Sequence, residues 1–132
     1  MKGKILIIED EQYLADMYKM KFEREGYEVE LAYDGESGIE LAKKVKPDLI
    51  LLDLVLPKMD GYTVLRALRA DKKTKSLKIY VFSNLGQEEE IEEGLKNGAD
   101  GYLIKANVTP TQLVELVEKI LRGEDAGIKK RV

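Results

Sequence analysis

The chain has 132 residues with no cysteine and no histidine, and it is 36% charged and 44% hydrophobic with a formal net charge of −3. This describes one domain with a single core; it excludes disulfide staples, thiolate chemistry and a histidine base or metal ligand. Interspersed charges with a slight acidic excess argue against direct nucleic-acid binding, so any catalysis has to rest on carboxylates, hydroxyls or amines.

The chain opens Met1-Lys2-Gly3-Lys4 before only four apolar residues, too few for a signal peptide. No run approaches a membrane span, and the expectation is a cytoplasmic protein that makes no membrane contact. From there, short β-rich runs alternate with amphipathic segments. Residues 4–8 (KILII) predict a first strand. In the helix that follows, Leu14, Met17, Tyr18 and Phe22 share one face, and Gly26 supplies a left-handed stop. Residues 27–32 predict a second strand whose alternating Glu28 and Glu30 suit a sheet edge, before a helix faced by Gly38, Ile39, Ala42 and Val45. Residues 48–53 predict a third strand whose continuously apolar stretch Leu49–Leu52 marks it as an inner one, followed by a helix capped by Asp60 and faced by Val64, Leu65 and Leu68. Residues 77–82 predict the fourth strand, and an acidic run at 88–93 opens a helix faced by Ile91 and Leu95, where negative charge suits the dipole. Residues 101–104 predict the fifth strand. The last helix starts at a capping box, Thr109-Pro110-Thr111-Gln112, and is faced by Leu113, Val117, Ile120 and Leu121. Asp34, Asp48 and Asp100 read as caps or turn residues.

Strict alternation of strand and helix predicts a parallel sheet covered on both faces, with functional groups at the carboxyl ends of the strands. Those ends carry Glu9-Asp10-Glu11, Asp53, Ser83-Asn84 and Lys105. Two or three carboxylates sharing a crevice repel one another unless a cation joins them, and a hard divalent ion such as Mg²⁺ or Mn²⁺ fits all-oxygen ligands. Lys105 adds a fixed positive charge and Ser83 a hydroxyl donor. With no histidine or cysteine, the available covalent nucleophile is a carboxylate, which accepts a phosphoryl group as an acyl phosphate that in-line water then hydrolyses.

The quoted segments KILIIEDE at 4–11, LLDLVLPKMDG at 51–61, VFSN at 81–84 and GYLIK at 101–105 make the chain resemble a response-regulator receiver domain of two-component signal transduction, over about residues 4–122. The resemblance implies a flavodoxin-like, doubly wound five-stranded sheet ordered 2-1-3-4-5 with five helices. It implies that Asp53 is the phosphoacceptor, that Asp10 and Asp53 give carboxylates and Val55 a backbone carbonyl to the metal, and that Glu9 holds a metal-bound water. Ser83 and Lys105 then contact the phosphoryl group, and Tyr102 matches an aromatic switch residue. The implied donor is a phosphohistidine on a sensor histidine kinase or phosphotransfer protein. Phosphorylation then alters the face of the fourth helix, fifth strand and fifth helix toward a downstream protein effector, with the domain a monomer or a phosphorylation-dependent dimer. Such a domain catalyses its own phosphorylation and dephosphorylation and turns over no external substrate.

Three positions depart from the family pattern. Glu9 stands where Asp is common, and its extra methylene changes reach. Lys105-Ala106 replaces a Lys-Pro pair with a cis bond; before alanine a cis bond costs about 3 kcal/mol, which leaves a strained or a trans loop. Asn84 replaces a small residue, and with Leu85 and Val55 it is expected to obstruct attacking water and lengthen the phosphoryl lifetime.

Competing classes fit less well. A phosphatase of the haloacid-dehalogenase type needs a second acid two residues after its nucleophile, where this chain has Val55. A flavin or nucleotide binder needs a Gly/Ser/Thr-rich loop after the first strand, where Glu9-Asp10-Glu11-Gln12 repels phosphate. A degenerate receiver acting as a phosphorylation-independent docking module remains the alternative. The expected domain spans 1–122, with 123–132 a tail or truncated linker whose Lys129-Lys130-Arg131 reads as a solubilising end.

Overall fold

The computed structural model describes residues 2–124 and 126–129. Strands β1 (Lys4–Ile8), β2 (Glu28–Ala32), β3 (Leu49–Leu52), β4 (Ile79–Ser83) and β5 (Gly101–Ile104) form one parallel sheet in the order β2-β1-β3-β4-β5. Between them run α1 (Gln12–Arg24), α2 (Gly35–Val45), α3 (Gly61–Ala70) and α4 (Glu88–Lys96), and a 3₁₀ turn at Lys105–Asn107 leads into α5 (Pro110–Leu121). This is the flavodoxin-like architecture expected from the alternation and the family resemblance, with β2 at one edge.

The apolar strand runs are explained by burial on both faces. Ile5, Ile7, Leu49, Leu51, Tyr80 and Phe82 pack with α1 and α5 through Tyr18, Phe22, Leu113, Val117 and Ile120. Their alternate neighbours Leu6, Ile8, Ile50, Leu52, Ile79 and Val81 pack with α2, α3 and α4 through Ala42, Val64, Leu65, Leu68 and Leu95. Successive residues of one strand thus feed two cores, which the period-two geometry of a strand requires.

The helix starts follow their local chemistry. Asp34 accepts from Ser37 N at 2.8 Å, Asp60 from Thr63 N at 3.0 Å and Thr109 from Gln112 N at 3.1 Å, each satisfying a first-turn amide. Gly26, at φ +96°, follows the end of α1 as expected. Three strands start later than the sequence suggests, β2 by the single residue Tyr27, whose amide still closes the turn to Phe22 O at 3.1 Å. Asp48 lies outside β3, where its carboxylate accepts from Lys4 N at 2.7 Å and ties two strand starts together. Leu77 lies outside β4 because its amide donates to Thr74 O at 3.0 Å and its carbonyl accepts from Arg69 Nη1 at 2.6 Å, so the chain is still turning there. Asp100 is a cross-link: it accepts from Ile79 N at 2.9 Å and pairs with Arg69 at 3.0 Å.

Past α5 the chain returns to the sheet. Residue Ala126 is buried against the α1/α5 layer, and Ile128 forms an antiparallel bridge with Tyr102 on the outer edge of β5. No helix among the described residues is long and apolar enough to cross a membrane.

Candidate functional site

The register of the sheet builds the site. Ile8 pairs with Leu52, so Glu9 and Asp53 leave adjacent strands at the same level, and Asp53 N still donates to Ile8 O at 3.0 Å. Ser83 ends β4 opposite Ile104, one residue before Lys105. Asp53 itself lies one residue beyond β3, turned out of the sheet. A carboxylate thus follows four buried leucine and isoleucine residues without lying within the strand they form.

Asp53 is held from three sides. Ser83 Oγ donates to its Oδ1 at 2.7 Å, Val55 N donates to the same oxygen at 3.1 Å, and Lys105 Nζ donates to Oδ2 at 2.8 Å. Lys105 Nζ also donates to Glu9 Oε1, while Glu11 N donates to Glu9 Oε2 at 3.1 Å. The three charged groups are nearly dry, their side chains being 3–9% exposed. Burial raises the Glu9 carboxyl above its usual range against the opposing hydrogen bond from Lys105. For Lys105, burial pulls toward the neutral amine, but hydrogen bonds to Asp53 and Glu9 outweigh it and hold the ammonium above its ordinary value.

Asp10 is exposed at the mouth, and carboxylate oxygens of Glu9, Asp10 and Asp53 lie within 4.8 Å of one another. With Val55, Asn84 and Lys105 these residues line a cavity of about 350 Å³. Two buried carboxylates and an exposed one against a single ammonium leave a local negative excess, and an all-oxygen donor set of this kind fits Mg²⁺. The residues implied by the resemblance, Glu9, Asp10, Asp53, Val55, Ser83 and Lys105, are therefore gathered at one end of the sheet.

Three details differ from, or add to, the sequence reading. Both oxygens of Glu9 are engaged, because the longer side chain reaches Lys105. The bond before Ala106 is trans, since the described residues contain no cis peptide, and Ala106 N donates to Asn84 Oδ1 at 2.9 Å. Asn84 thus bridges the ends of β4 and β5, a contact no local pattern announces. Leu85 does not line the cavity: its side chain packs with the α2/α3/α4 layer and its carbonyl accepts from the Tyr102 hydroxyl. Of the three residues expected to obstruct water, only Asn84 and Val55 border the site. Tyr102 is buried and points inward, and burial pushes its phenol well above the ordinary tyrosine value.

Close backbone packing sets the floor. A Cβ on Gly61 would lie 2.5 Å from Leu54 Cα and 2.6 Å from Asp53 O, so the start of α3 can approach the Asp53 peptide only with glycine.

Comparison with known proteins agrees with this geometry. The chain is 39% identical over 122 residues to the DNA-binding dual master transcriptional regulator RpaA of Synechocystis sp., covering 92% of this chain and 50% of that protein. It is 38% identical over 127 residues to the alkaline phosphatase synthesis transcriptional regulatory protein PhoP of Bacillus subtilis, covering 95% and 51%. The chain thus spans about half the length of these relatives. Among solved structures, it superposes on a CheY-like response regulator receiver domain protein from Methanospirillum hungatei with a TM-score of 0.83 at 30% identity, covering 91% of this chain and 94% of that one. The chemotaxis protein CheY4 of Vibrio cholerae gives 0.82 at 29% identity, covering 89% and 98%. The family described as the response regulator receiver domain matches residues 5–118. The chain belongs to the response regulator receiver family of two-component signalling.

Proposed function

We propose that this domain accepts a phosphoryl group on Asp53 from a phosphohistidine of a sensor kinase or phosphotransfer protein, and that the modification biases the face formed by α4, β5 and α5. The observation that supports it is the convergence of Ser83 Oγ and Lys105 Nζ on the two oxygens of one Asp53 carboxylate, at 2.7 Å and 2.8 Å. A carboxylate so held is oriented, and its two donors stand where a phosphoryl oxygen would need them.

In the transfer, an Asp53 oxygen gives an electron pair to phosphorus as the phosphorus–nitrogen bond of the donor breaks, and the imidazole nitrogen keeps the bonding pair. Lys105 exchanges its ion pair with Asp53 for a phosphoryl oxygen, and Ser83 turns its hydroxyl from Oδ1 to another. Asp10 and Asp53 carboxylates, the Val55 carbonyl and a water on Glu9 would hold Mg²⁺ or Mn²⁺, which when bound supplies charge neutralisation for the phosphoryl oxygens. Asn84 and Val55 border the path of an in-line water and favour a long-lived acyl phosphate.

The added charge of about −1.5 to −2 recruits Ser83 and with it the β4–α4 loop, where the Leu85 carbonyl is bound by Tyr102. The output is a protein effector, and the domain works without touching nucleic acid. Its place is the cytoplasm, where kinase and donor are found.

Mass spectrometry after incubation with acetyl phosphate and Mg²⁺ is the test. One phosphoryl mass on the wild type and none on Asp53→Asn is the expected result. An equal mass gain on the variant would unseat Asp53, and absence of both phosphorylation and beryllofluoride binding would leave a docking module without phosphoryl chemistry.

A further inference from the structure

We propose that the outer edge of β5 is a strand-addition site for an extended protein segment bearing a large aliphatic residue followed by a lysine, and that residues 126–129 are its resident occupant in cis.

The sheet ends at β5, whose outward main-chain groups need a partner or water. Tyr102 N donates to Ile128 O at 2.8 Å and Ile128 N donates to Tyr102 O at 3.0 Å, a closed antiparallel pair on a sheet whose other pairings are parallel. Side chains grip the α1/α5 face beside that pair. Ala126 is buried with the α1/α5 layer, and Lys129 Nζ lies 5.8 Å from the centre of the Tyr80 ring. Gly127 sits at φ +66°, and a Cβ there would lie 2.5 Å from Leu103 Cδ2 and 2.8 Å from Tyr102 O, so the segment presses on the strand as closely as glycine permits.

On the opposite face the fit is incomplete. Ile128 is 41% exposed and walls a groove of about 580 Å³ with Gly86, Ile91 and Leu95, and the charged residues that line it, Glu88, Glu92, Lys96 and Lys129, balance in sign. One main-chain pair plus an unfilled, largely apolar groove describes an occupant that holds by proximity more than by fit. A partner segment of the same character, its aliphatic residue toward α4 and its lysine over the Tyr80 ring, finds both the hydrogen bonds and unused space. The tether gives the resident segment an effective concentration on the order of millimolar, which a free segment has to overcome.

The probe is a synthetic peptide with the sequence of residues 123–132, titrated into the full chain and into full-chain Ile128→Pro, which lacks the donor to Tyr102 O. Expected is binding at least about tenfold tighter to the variant, since the tethered competitor is removed. Amide exchange at Tyr102 should be slow in the wild type, faster in the variant, and slow again when peptide is added. A peptide carrying Lys129→Glu should bind more weakly. Gly127→Val, which leaves the Ile128 amide intact but has no room for its side chain, serves as a second variant with the same expected outcome. Equal peptide affinity for wild type and both variants, no binding to either variant at millimolar peptide, or Tyr102 exchange as fast in the wild type as in the variants overturns the proposal. A variant that dimerises with no affinity for peptide also overturns it, assigning the edge to a second copy. None of these readouts requires phosphorylation of Asp53.

Discussion

Ser83 Oγ donates to Asp53 Oδ1 at 2.7 Å, so the carboxylate is aimed by a hydroxyl from the neighbouring strand before any ligand arrives. Both residues are buried, which makes the bond directional and keeps water from competing for it. Ser83→Ala should slow phosphorylation by acetyl phosphate about tenfold, the loss expected for one oriented hydrogen bond of about 1.4 kcal/mol, without abolishing it. Quenched-flow or gel-shift kinetics give the rate; an unchanged rate would remove Ser83 from the site.

Lys105 holds two buried carboxylates, Glu9 and Asp53, with one ammonium. Lys105→Ala should cost about 3 kcal/mol in urea unfolding at neutral pH, because both acids lose their counter-charge, and adding Glu9→Gln should return part of it. The pH dependence has a definite sign. Burial already raises Glu9 above the ordinary glutamate value of 4.5, and losing Lys105 raises it further. A raised folded-state value means that protonation favours the folded chain, so the deficit of the variant should shrink as pH falls toward 4.5. A deficit that stays constant or grows on acidification contradicts this.

Tyr102 donates its hydroxyl to the Leu85 carbonyl from a fully buried position. Tyr102→Phe should lower stability by about 1 kcal/mol by leaving that carbonyl unpaired. Burial raises the phenol in the folded chain, so stability tied to it is intact below the unfolded value near 10 and is lost as pH rises beyond it. Ultraviolet titration should show Tyr102 ionising only with unfolding; the Tyr102→Phe chain should lack that late step.

Gly61→Ala should destabilise by about 1–3 kcal/mol, because the new methyl meets main-chain atoms of Leu54 and Asp53 that cannot rotate away. Displacing the Asp53 peptide should also weaken Mg²⁺ binding, measured by tyrosine fluorescence or calorimetry. A melt and a metal titration matching the wild type would show that α3 can recede.

Much of this was legible in the residues. Isoleucine and leucine runs too short for helices, punctuated by capped amphipathic segments, specify a doubly covered parallel sheet, and such a sheet brings strand ends together however distant they are in the chain. Glu9, Asp53, Ser83 and Lys105 follow from that rule. Contacts that depend on reach were not legible. The start of β4 is delayed by Arg69, whose guanidinium binds carbonyls of Lys75, Leu77 and Gly98 and the Asp100 carboxylate. Leu85 turns inward instead of toward the site, and Asn84 finds the Ala106 amide. Residues 126–129 carry only one bulky aliphatic residue, Ile128, too little for strand periodicity, yet they pair with β5. Lys130 and Arg131, the rest of the expected basic end, lie outside the described residues.

Tyr102 serves two neighbours at once, its phenol holding the loop that follows Ser83 and its peptide group holding Ile128. News of an event at the acidic end need not percolate through a network of packed side chains to reach the rim of the sheet. Under the proposed switch, one amino acid joins the two places, and its two contacts can be cut separately, the phenol by removing an oxygen and the peptide contact by altering what sits across from it.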